Sequence, residues 1–105
     1  MNRVKRENEA VLALLQAMLG SISSNFRRVS LSIVGETIQL QFVLARESEM
    51  DREEISDMTF VFESLYDRQI EVEMEIVVTT KPLSEIPSLH RVLIAHRSLP
   101  RDVES

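Results

Sequence analysis

Val29-Ser-Leu-Ser-Ile-Val-Gly-Glu-Thr-Ile-Gln-Leu-Gln-Phe-Val-Leu44 is the stretch that decides the fold. Over 28–34, Val29, Leu31 and Ile33 alternate with Ser30 and Ser32; over 37–45, Ile38, Leu40, Phe42 and Leu44 alternate with Gln39 and Gln41. A period of two marks strands with one buried face. Between them Gly35-Glu36 leaves room only for a tight turn, and glycine supplies the positive φ that a primed turn needs. The segment reads as a β-hairpin.

A helix is expected on its N-terminal side. Val4, Val11, Leu12, Leu14, Leu15, Met18, Leu19 and Ile22 recur at spacings of three, four and seven, giving a broad apolar face over 4–22. The polar stretch from Arg3 to Glu9 is expected to fray, and Gly20 with its neighbouring serines to end the helix. On the C-terminal side a second helix follows. Asp51 is the expected cap, with Glu54 completing a D-x-x-E capping box and Met50 and Ile55 forming a hydrophobic staple. Ile55, Met58, Phe62 and Leu65 make its buried stripe, and Glu53 and Glu54 sit in the first turn, where the macrodipole favours acids.

Residues 70–79 alternate again, with Ile70, Val72, Met74, Ile76 and Val78 opposite Glu71, Glu73 and Glu75. Pro82 and Pro87 interrupt the chain after it, and 89–96 form a last strand. The order is α-β-β-α-β-β. It predicts an α+β fold: one four-stranded mixed or antiparallel sheet with two helices packed on one face. The strand order stays open. The opposite face, with Ser30, Ser32, Gln39, Gln41, Glu71, Glu73 and Glu75, is expected to meet solvent. Residues 1–97 are read as a single domain and 98–105 as a disordered tail.

The 105 residues hold 12 Lys or Arg and 17 Asp or Glu, for a net charge of −5. Residues 47–75 carry eleven acids and two bases, a local −9, while the rest of the chain holds ten bases and six acids. Single acids are ordinary solvated surface; a cluster of this size favours a basic partner.

Chemistry finds little footing. With no Cys there is no disulfide, thiol nucleophile or cysteine-ligated metal. His90 and His96, placed on one strand, lie about 20 Å apart and cannot share an ion. The carboxylates lack the Asp/Asn-rich glycine loop of a calcium site. No P-loop, G-x-G-x-x-G or G-x-S-x-G occurs, and paired carboxylates such as Glu53 and Asp57 lie on an exposed helix face that does not exclude water. No cofactor, metal or catalytic residue is expected. A pI near 5.0 opposes direct nucleic-acid binding, and no apolar run reaches the roughly 18 residues of a membrane span. A soluble protein of a reducing compartment is expected.

The run Val29-Ser-Leu-Ser-Ile-Val-Gly, Ile38-Gln-Leu-Gln-Phe-Val-Leu, Asp51-Arg-Glu-Glu-Ile-Ser-Asp-Met and Phe62-Glu-Ser-Leu resembles small bacterial immunity proteins over about residues 10–97. These are the antidotes of contact-dependent growth inhibition and related polymorphic toxin systems. The resemblance implies a cytoplasmic protein that binds and neutralises the C-terminal toxin domain of a larger effector, commonly a nuclease. It transfers no contact residue. The charge pattern independently nominates Glu71, Glu73, Glu75, Glu53, Asp57 and Glu49 as the surface for a basic toxin domain, presented by a monomer or weak dimer. The alternative is a non-catalytic subunit or adaptor of another assembly, including a homo-oligomer.

Overall fold

A computed structural model describes residues 2–95. The expected tail from Ser98 and the second histidine, His96, lie outside the described residues. The elements are α1 (Arg3–Met18), β1 (Phe26–Val34), β2 (Thr37–Leu44), α2 (Glu49–Ser64), β3 (Glu71–Val78), a 3-10 turn at Leu83–Glu85, and β4 (Arg91–Ala95). The sheet order is β3-β2-β1-β4. β1 is antiparallel to β2 and to β4, whereas β2 and β3 are parallel and joined through α2. The α+β mixed sheet is therefore the observed architecture, and the open strand order resolves with β3 beside β2.

The hairpin follows its sequence. Val34 pairs with Thr37, leaving a two-residue turn in which Gly35 has φ 62. Glu36 has no positive φ, so the glycine alone carries the left-handed position, the pattern of a type II′ turn. Inward residues Val29, Leu31, Ile38, Leu40, Phe42 and Leu44 join Ala10, Leu14 and Met18 of α1 and Ile55, Met58 and Phe62 of α2 in one core. Both helices thus cover the same sheet face, and each large buried side chain contributes about 1.5–3 kcal/mol.

β1 starts two residues earlier than its alternation suggested. A bulge between Phe26 and Arg28 inserts one extra residue opposite β2. It resets the phase, so Phe26 and Val29 both reach the core while Arg27 and Arg28 are directed together to the other face.

That second face departs from expectation. Ser30 is 0% exposed, and Gln41 and Arg28 are also buried. The chain between β3 and β4 crosses over β1 and is fastened there. Arg28 donates to the carbonyl oxygens of Pro87 (3.1 Å) and Leu83 (3.4 Å), and Gln41 Nε2 to Pro87 O (3.1 Å). Ser30 Oγ accepts from Leu89 N–H (3.2 Å), and Ser32 Oγ from His90 N–H (2.7 Å). The alternate serines that read as solvent-facing are anchors for the returning chain.

Both helices also begin differently. α1 is regular from Arg3, capped by Asn2, whose side chain accepts from Lys5 N–H (2.9 Å). The stretch expected to fray is helical in the structure, and Glu7 within it is buried. α1 ends at Met18, and its face is narrower than its leucines suggest: Ala10, Leu14, Ala17 and Met18 point inward, while Leu12 (67%) and Leu19 (79%) are exposed. α2 is capped by Ser48, whose Oγ accepts from Asp51 N–H (3.1 Å). Asp51 is therefore the third helical residue and is buried. Glu49 and Asp51 are the first-turn acids, whereas Glu53 and Glu54 lie beyond it. The staple is absent, since Met50 falls inside the helix and is exposed. Ser48 and Asp51 are both good capping types three residues apart, and the burial of Asp51 selects the earlier start.

Candidate partner-binding site

β3 presents Glu71, Glu73 and Glu75 on the sheet face away from the helices. The parallel register sets Thr37 beside Glu71, Gln39 beside Glu73 and Gln41 beside Glu75. Each carboxylate accepts from its neighbour: Thr37 Oγ1 at 3.4 Å, Gln39 Nε2 at 3.3 Å and Gln41 Nε2 at 3.1 Å. A carboxylate has about four acceptor positions, so each glutamate keeps most of its capacity turned to solvent. The three are exposed, on the half of the face that the β3–β4 connection leaves open. Behind Glu75, Gln41 accepts from Arg28 Nη2 (2.9 Å) and Ser30 Oγ (3.2 Å), so a buried polar network holds the end of the row. Burial pulls the Arg28 guanidinium below its ordinary pKa, with the neighbouring Arg27 charge adding to the effect.

Glu53 and Asp57 lie elsewhere. Ile55, Met58 and Phe62 turn inward, which puts Glu53 and Asp57 on the outer side of α2, with Glu49 at its N-terminal end, all exposed. In a two-layer molecule this is the surface opposite the glutamate row. The six acids nominated from sequence therefore form two separate surfaces.

Phe60 was not singled out from sequence. It is 74% exposed and follows Asp57 by three residues and Glu53 by seven, which places an aromatic ring on the same outer face. The signal was present: Phe60 sits two positions before the buried Phe62, about 200° round the helix. Leu12, Leu15 and Leu19 likewise form an exposed row on α1.

Among the remaining ionisable groups, Glu7 of α1 accepts from His90 Nδ1 at 2.7 Å and lies 3.6 Å from Arg91 Nη1. The His90 hydrogen bond, followed by the charges of His90 and Arg91, holds this carboxyl below its ordinary pKa against the opposing effect of burial. His90 precedes β4 instead of lying within it. At the hairpin end, a cleft of about 740 Å³ is lined by Arg6, Glu9, Tyr66, Arg68 and Glu71. Arg68 donates to Glu9 at 2.9 Å and stands 5.1 Å from the centre of the Tyr66 ring. Burial, and then the Glu9 charge, push the Tyr66 phenol up to about 12. Arg52 pairs with Glu47, so part of the acidic segment is already neutralised locally.

Among the described residues, no group of three or more His, Cys, Asp or Glu could hold a metal ion, and no helix is long and apolar enough to cross a membrane. Exposed carboxylates in a ladder, with solvent on one side and neutral hydrogen-bond donors on the other, suit recognition of positive charge.

No curated protein matches the chain. The family model for MafI2 immunity protein matches residues 7–97, which takes in most of α1 and every later element. The chain belongs to the MafI2 immunity protein family.

Proposed function

We propose that this protein neutralises its toxin by direct, non-catalytic contact in the cytoplasm, and that the toxin is a basic domain, a nuclease, of a contact-dependent inhibition effector. The observation that carries this reading is the exposed Glu71, Glu73 and Glu75 row, held in register by Thr37, Gln39 and Gln41. A row of carboxylates repeating every 6.5–7 Å offers regularly spaced negative charge to a surface built to bind phosphates. Glu49, Glu53 and Asp57, on the other surface, add to the field that draws the toxin in.

Co-expression with the toxin domain encoded beside this gene tests the reading. A soluble complex and rescued growth are expected. Simultaneous Glu71→Lys, Glu73→Lys and Glu75→Lys should weaken the complex at least tenfold. A complex unaffected by those changes and by salt would remove the electrostatic contact from the proposal. A second reading, a subunit that assembles with its own kind, is favoured by the exposed Leu12, Leu15 and Leu19 row. Sedimentation showing a stable oligomer, with no toxin bound, would support it instead.

A further inference from the structure

β3 lies at one margin of the sheet and, among the described residues, pairs only with β2. The pairing is regular along all eight residues, and just beyond it Thr79 N–H donates to Leu44 O at 2.9 Å. Backbone groups alternate sides along a strand. Residues in phase with Thr79 therefore turn theirs toward β2, and Val72, Met74, Ile76 and Val78 turn their N–H and C=O groups outward. Such a row of unpaired donors and acceptors is a template for another strand.

The two surfaces beside this edge differ. On the helix side, Met74 and Val78 are only partly covered, at 40% and 37% exposed. On the other side stand the exposed glutamates of the row. We propose that the free edge of β3 receives an extended strand of the toxin domain as a fifth strand. Main-chain hydrogen bonds to Val72, Met74, Ile76 and Val78 would hold it, with apolar side chains beside Met74 and Val78 and Lys or Arg at the alternate positions beside the glutamates. This rests on the toxin-binding reading and specifies its contact. A second copy of the chain is a poor occupant, because antiparallel pairing of two β3 strands sets glutamate beside glutamate on one face.

Residue-resolved amide hydrogen exchange on the free protein and on its complex with the toxin domain encoded beside it provides the test. In the free protein the amides of Val72, Met74, Ile76 and Val78 should exchange rapidly, while those of Glu73, Glu75 and Val77 are protected. In the complex the four rapid amides should slow at least 100-fold. Met74→Pro removes one outward N–H and no bond to β2; it should weaken binding more than tenfold, and more than Met74→Ala does. If Met74→Pro does not fold by circular dichroism, the exchange result decides. A complex whose four amides keep their free rates overturns the edge contact and leaves toxin binding standing. No complex at all overturns both. Protection that appears with rising concentration of the protein alone assigns the edge to a second copy and also overturns the proposal.

Discussion

Asp51 ties three segments of the chain together. Its carboxylate accepts from Ser23 Oγ at 3.0 Å and Asn25 Nδ2 at 2.9 Å, while its N–H is taken by Ser48. Asn25 in turn brackets Arg46, donating to its carbonyl at 2.8 Å and accepting from its N–H at 3.0 Å. The loop before β1, the loop after β2 and the first turn of α2 are thereby fixed in one arrangement. Asp51→Ala leaves the buried Asn25 amide with a donor hydrogen unaccepted, and urea denaturation should show a loss of about 1–3 kcal/mol. Asp51→Asn keeps one acceptor and should lose less. In the sequence Asp51 reads as a helix cap, because capping type and spacing are local properties. Its hydrogen bonds to Ser23 and Asn25, 28 and 26 residues away, are not local.

At the scale of elements, α1 is attached to β4 through polar contacts as well as through the core. Glu7 meets His90 and Arg91, and Asn8 accepts from Arg91 Nη1 at 3.3 Å. A carboxyl whose folded pKa lies below its unfolded value, about 4.3 for Glu, stabilises the fold above that value and loses this contribution as pH falls through the folded pKa. Glu7→Gln should therefore be less stable than the parent at neutral pH, and the gap should close as pH drops below the usual carboxylate range; thermal melts across that range would show it. A gap independent of pH would mean that Glu7 acts only through packing. The existence and type of the two helices and four strands were readable because periods of two and 3.6 are written in the side chains. The cover over Ser30 and Ser32 was not, because a serine facing solvent and a serine accepting from a returning backbone have the same pattern along the strand. The bulge at Arg27 was hidden for a related reason: alternation is only visible where it is unbroken.

For the whole molecule, the net charge of −5 matters less than its division between two outer surfaces. Charges at a contact act on dissociation, whereas charges away from it act through the long-range field, chiefly on association. Glu53→Lys with Asp57→Lys should slow association and reduce its salt dependence while changing dissociation less than threefold. The β3 reversals should accelerate dissociation. Stopped-flow or surface-plasmon measurements at about 50 and 200 mM salt, where the screening length shrinks from roughly 14 to 7 Å, separate the two. If both sets of reversals act equally on dissociation, the toxin spans both surfaces.

By itself the sequence determined the hairpin, the two helices, the glutamate-bearing strand and their order. Those follow from local turn chemistry and hydrophobic period, which are carried by neighbouring residues. Only the tertiary structure decided that β3 sits at a margin beside β2, that half of the second sheet face is covered by the β3–β4 connection, and that the acids of α2 and β3 point away from each other. Which surfaces face one another depends on how elements far apart in the chain bury their apolar sides together, and that burial is a property of the packed whole.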